Sequence, residues 1–137
     1  MNGRYFSSVM WIPITTVEQM RNGVLSNVSA ADGAHCSNWE TNKSSNGTML
    51  PWYGSDADHR CVPLGLGYFV ENECYDTWKL FFDFVKDGLT FDTAQFPNAV
   101  SLDVLDNITI ADCDKGLLSA YKKVFKRARI FHCADHR

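Results

Sequence analysis

Apolar side chains recur at Cys74, Trp78, Phe81, Phe82, Val85 and Leu89, in the three- and four-residue steps that line one face of a helix. That spacing predicts an amphipathic helix with Asn72 as its cap and Gly88 as its stop. A second helix is predicted over residues 114–125, where Leu117, Leu118, Tyr121, Val124 and Phe125 share a face. Shorter apolar runs predict strands at residues 24–31, 49–55, 62–70, 108–111 and 128–133. The second and third read as a hairpin turning through Asp56, Ala57, Asp58, His59 and Arg60. Pro63, which cannot donate to a ladder, restricts its part of the strand to an edge or to the first position. Residues 1–22 show no clear period beyond a candidate helix near residues 16–22, and residues 37–48 have the composition of an exposed loop. The resulting order is three strands, helix, strand, helix, strand, which is an α/β pattern without internal repeats.

Composition narrows this picture. A chain of 137 residues supports one core, and 45% hydrophobic with 21% charged residues places it among folded rather than disordered chains. No run approaches the roughly 20 apolar residues that cross a bilayer. Residues 5–17 are mildly apolar but are broken by Pro13 and followed by Glu18 and Arg21 without a small-residue cleavage pattern, so a signal peptide is not expected. The net charge of −3 is unevenly distributed: residues 115–137 carry seven Lys or Arg against Asp135 alone, a balance of +6, and the rest of the chain carries −9. A basic end on an acidic body can meet phosphates, although a solvated helix face explains it equally well when taken alone.

Cys36, Cys61, Cys74, Cys113 and Cys133 are odd in number and irregular in spacing, which favours a reduced intracellular protein over a disulfide framework. Asn27, Asn42, Asn46 and Asn107 each begin an Asn-x-Ser/Thr triplet, and these would be glycan acceptors in a secreted chain. A small secreted glycoprotein therefore stands as the lesser alternative.

Candidate chemistry lies at two strand ends. The run at residues 24–31 leads into Asp32, and the run at residues 108–111 leads into Asp112, 80 residues later. Side chains at the carboxyl ends of strands in an α/β sheet emerge toward the solvent crevice, where such folds concentrate their chemistry. Three blocks then carry a family resemblance: Asp32-Gly33-Ala34-His35; residues 62–73 leading through Trp78 and Phe82; and residues 111–117 continuing to Cys133-Ala134-Asp135-His136. Together these blocks, which cover residues 24–137, resemble the catalytic domain of Mutator-like element transposases, a ribonuclease H-like DDE domain.

The resemblance implies an α/β fold: a ribonuclease H-like mixed sheet, with a three-stranded antiparallel meander plus parallel strands, flanked by helices. Residues 1–23 would be an N-terminal extension to that domain. It also implies that Asp32 and Asp112 are the first two catalytic acids and hold Mg²⁺ or Mn²⁺ for DNA strand cleavage and transfer. Hard divalent ions take carboxylate and phosphate oxygens, and two ions about 4 Å apart can stabilise both the attacking and the leaving oxygen. DNA is the implied partner, with self-association left open, no membrane, and a nuclear or intracellular location. The family's third acid, a Glu on a later helix, has no counterpart before Arg137. The expectation is therefore a C-terminally truncated domain inactive on its own, or a residual or domesticated domain that binds DNA or protein without cleaving.

Other residues have competing readings. Lys122, Lys123, Lys126 and Arg127 are the candidates for sequence-independent phosphate contacts. Cys133 and His136 match the family's Cys-x-x-His element, but two ligands do not make a four-coordinate zinc site, so zinc is not expected. His35 either leans toward the acids or is an ordinary loop histidine. Asp114 is better explained as a helix cap than as a helper of Asp112. Asp56 and Asp58 read as a polar hairpin tip. Trp78, Phe81, Phe82 and Phe84 could suggest base stacking, but a face shared with Val85 favours core packing.

Overall fold

A computed structural model describes residues 8–23, 28–31, 34–35, 47–56, 58–70, 72–99, 102, 108–111, 116–127 and 129–132. The elements are β1 (Ser8–Trp11), α1 (Ile14–Arg21), β2 (Val28–Ala31), β3 (Ala34–His35), β4 (Thr48–Ser55), β5 (Cys61–Phe69), α2 (Tyr75–Gly88), β6 (Ile108–Ala111), α3 (Leu117–Val124) and β7 (Arg129–His132). The fold is mixed α/β. Its sheet runs β1-β5-β4-β2-β6-β7, and β3 also pairs with β4.

The hairpin of β4 and β5 is closed by the Asp56 carboxylate, which accepts the backbone N–H groups of Asp58 at 2.9 Å and Arg60 at 2.8 Å. An acid at this position organises the turn. Pairing steps from Trp52↔Gly65 to Tyr53↔Pro63, so Leu64 is an extra residue and forms a β-bulge. Pro63 lies beyond the reach of β1, whose last pair is Trp11↔Leu66, and its missing N–H therefore costs no ladder bond on that side. The Pro63 carbonyl accepts the buried Thr16 hydroxyl at 2.5 Å.

Residues 8–21 belong to the same body. β1 pairs antiparallel with β5, Met20 enters the core, and Arg21 stacks over Phe96 at 4.8 Å and Phe91 at 5.6 Å. The strand was not evident in the sequence because Ser8 and Met10 are half-buried while Val9 and Trp11 are exposed. The inward and outward positions therefore do not alternate between apolar and polar residues.

The core lies between the sheet and α2 and α3. Trp52, Trp78, Phe81, Phe82, Val85, Leu117 and Tyr121 are fully buried. Phe82 is edge-on to Trp52 and Tyr121 and stacks on Trp78. Trp78 also donates its indole N–H to Glu73 at 3.0 Å, so this carboxylate pins the first turn of α2 to its own core residue.

Two local expectations are corrected. The N-cap of α2 is Cys74, not Asn72; the Cys74 N–H donates to the Thr77 hydroxyl at 3.0 Å, the backward half of a capping box. The helix does stop at Gly88, whose lack of a side chain makes room for Ile12, which lies against it. The cap position of α3 is Gly116, at φ +78°, and not Asp114. A Cβ there would lie 2.5 Å from the Tyr75 backbone nitrogen, so glycine permits both the left-handed turn and the contact between the starts of α2 and α3. At their other ends the Lys86 ammonium donates to the Val124 carbonyl at 3.2 Å. The two helices therefore run side by side in the same direction.

Candidate functional site

β2 is the pivot of the sheet. Its Ser29, Ala30 and Ala31 pair antiparallel with Gly54, Tyr53 and Trp52 of β4. On its other edge it pairs parallel with β6, from Val28↔Ile108 to Ala31↔Ala111, and β6 pairs parallel with β7 through Ala111↔His132. Ala31, Ala111 and His132 thus end three neighbouring parallel strands at one level. Adjacent strands lie about 4.8 Å apart.

Beyond Ala31 the edge of β4 is taken up again by β3, with Ala34↔Met49 and His35↔Thr48. This continues the register of Ala31↔Trp52, because three residues forward on one strand match three residues back on the other. Asp32 falls in the step between β2 and β3, and Asp112 follows β6 directly in sequence. Both acids lie outside the described residues, as do Asp114, Cys133 and His136, and for His35 only the strand pairing is described. Among the described residues no group of three or more His, Cys, Asp or Glu side chains is placed to hold a metal. Cys61 and Cys74 are exposed free thiols.

The basic residues gather elsewhere. Lys123, Lys126 and Arg127 line a cleft of about 510 Å³ between α2 and α3, together with Lys79, Asp83, Lys86 and Val124. Lys122 is exposed on the same helix but is not in the lining. Lys79, Asp83 and Lys86 fall at i, i+4 and i+7 on α2, one stripe of the helix surface. The sequence carried that signal as polar positions interleaved with Trp78, Phe81, Phe82 and Val85, but charge counting over residues 115–137 overlooked it. Lys79 bridges Asp83 at 2.7 Å, and the hydrogen bond and charge of Asp83 raise the lysine's pKa above its usual 10.5.

Arg127, in this cleft, lies toward the opposite end of the sheet from the ends of the parallel strands. α3 starts beside Tyr75 and ends beside Lys86, and Arg127 precedes the first residue of β7 by two positions, whereas Ala111 pairs with its last residue. Four strand residues separate the levels by about 10 Å at about 3.3 Å per residue.

The aromatic residues do not form a platform. Trp78, Phe81 and Phe82 are fully buried, and Phe84 is half-buried against the core. No helix among the described residues is long and apolar enough to cross a membrane. No protein-family model and no curated protein matches the chain.

Proposed function

We propose that the chain is a ribonuclease H-like domain related to Mutator-like transposases, in which Asp32 and Asp112 hold a divalent cation that acts on DNA. The observation that carries the reading is the pairing of β2 and β6. Their last residues, Ala31 and Ala111, are register partners on adjacent parallel strands, and each is followed in sequence by one of the two acids. Neighbouring strands lie about 4.8 Å apart, a spacing compatible with two carboxylates that follow them sharing one ion. The strand order supports the same reading, with antiparallel β2, β4 and β5 followed by β6 and β7 added parallel to β2.

Carboxylate oxygens are hard donors and suit Mg²⁺ or Mn²⁺ better than zinc. When bound, such an ion lowers the pKa of water and neutralises charge on a phosphate. The chain's own contribution would be two carboxylates that directly follow paired strands in sequence, with the remaining positions of the ion left to DNA oxygens. A DNA substrate fits a nuclear or intracellular site of action. Of the three acids implied by the resemblance, two map onto this chain, so cleavage by these residues alone is not expected.

Isothermal titration with Mn²⁺ tests the reading. Saturable binding by the wild type that is lost in the Asp32→Ala, Asp112→Ala double variant supports it. Absence of binding, or binding that survives in the double variant, overturns it. A second reading, a domain that binds nucleic acid without cleaving it, rests on the basic cleft and predicts DNA binding with no dependence on divalent metal.

A further inference from the structure

The cleft between α2 and α3 carries five cationic side chains, Lys79, Lys86, Lys123, Lys126 and Arg127, around a single carboxylate, Asp83. Two of the cations have internal duties: Lys79 pairs with Asp83, and Lys86 donates to the Val124 carbonyl at the end of α3. Among the described residues no carboxylate lies within ion-pair distance of Lys123, Lys126 or Arg127. The dipole of α3 does not account for this excess, because a helix C-terminus presents only about half a negative charge. A solvated helix face accounts for each exposed base singly, but not for Lys79 and Lys86 of α2 lining one cleft with Lys123, Lys126 and Arg127 at the end of α3.

We infer that this cleft binds phosphate groups, and that it takes them from a nucleic-acid backbone in preference to free phosphate. Like-charged groups on a concave surface focus the field and raise the local concentration of a polyanion. Lysine ammoniums are point charges that donate to phosphate oxygens in many directions, and the Arg127 guanidinium can donate to two oxygens at once. Because Arg127 lies toward the opposite end of the sheet from Ala31 and Ala111, a strand held in this cleft crosses the outer surface of the helices. The inference deepens the reading above and depends on it only for the source of the phosphate. No metal enters its test.

The test is the salt dependence of duplex DNA binding by the full chain in EDTA, followed by fluorescence anisotropy. Each neutralised phosphate contributes about −0.9 to the slope of log K against log salt. The triple variant Lys123→Gln, Lys126→Gln, Arg127→Gln is expected to flatten that slope by about 2.7, while Arg60→Gln, at the hairpin turn and outside the cleft, leaves it unchanged. Inorganic phosphate is expected to compete only at concentrations where ionic strength alone explains the loss. Circular dichroism confirms that each variant is folded. The inference fails if the wild type does not bind duplex, if the triple variant keeps the wild-type slope, or if Arg60→Gln alone flattens it as much as the triple variant. It also fails if inorganic phosphate displaces duplex at concentrations too low to change ionic strength, which would make the cleft a small-anion site.

Discussion

Replacing Phe82 with Ala should cost more than a third of the stability of a typical domain, because this ring is the hub of the core. It is fully buried and has ring neighbours on every side: Tyr121 at 5.1 Å, Trp78 at 5.2 Å, Trp52 at 5.5 Å, Phe81 at 5.7 Å and Phe125 at 6.0 Å. Truncation of a buried Phe costs about 3–5 kcal/mol, from lost transfer energy and the cavity left behind. The upper part of that range applies here, because neighbours anchored on the sheet, on α2 and around α3 cannot collapse together into the space. Edge-on pairs are each worth about 0.5–1.5 kcal/mol beyond area, although these values do not add simply. Phe82→Leu keeps most of the volume and should cost about 1–2 kcal/mol. With a urea m-value of about 2 kcal/mol/M, the Ala variant should unfold at a midpoint about 2 M lower. Urea melts followed by far-ultraviolet circular dichroism measure both variants without relying on the neighbouring tryptophans. A loss under about 1 kcal/mol for Phe82→Ala, or equal losses for the two variants, would refute the argument. Weakened single-strand binding with stability unchanged would instead revive base stacking as the role of these rings.

Other outcomes follow from single contacts. Gly116→Ala should destabilise by about 2–4 kcal/mol, combining the cost of a left-handed Ala with overpacking against the Tyr75 backbone; thermal melting checks this. Cys74→Ser should stabilise by about 0.5–1 kcal/mol, because serine is a preferred cap and the Thr77 half of the box is already formed; a urea melt under reducing conditions reads it. The Lys79 pKa is raised in the folded state, so the pair's contribution to stability is full below the unfolded value of 10.5 and disappears as pH rises through the folded value. Asp83→Asn should return Lys79 to ordinary titration, as measured by the pH dependence of its side-chain NMR signals.

How much was legible in the sequence depended on whether one period dominated. α2 was legible because Trp78, Phe81, Phe82 and Val85 are all buried at helical spacing, and the hairpin of β4 and β5 because apolar runs flank a turn rich in Asp. β1 was not legible, because its outward residues Val9 and Trp11 are as apolar as its inward Met10. β3 was too short to show a pattern, and only its register along β4 identifies it as a continuation of the edge taken by β2. The start of α3 was misread because tertiary contact outweighed local preference: Gly116 is there for Tyr75. For the candidate site, the sequence marked which residues follow strands, but the neighbour relation between β2 and β6 required the fold. Lys79 and Lys86 were missed because each is unremarkable along α2 and gains meaning only opposite Lys123 and Arg127.

The central claim is that Asp32 and Asp112 form one divalent-cation site at the end of β2 and β6. The most direct measurement is paramagnetic broadening of backbone amide signals by substoichiometric Mn²⁺. The account predicts that Ala31 and Ala111 broaden first and together, ahead of Lys123 and Arg127, and that Asp32→Ala with Asp112→Ala abolishes the effect. Broadening centred on any other part of the sheet, or persisting in the double variant, would contradict it.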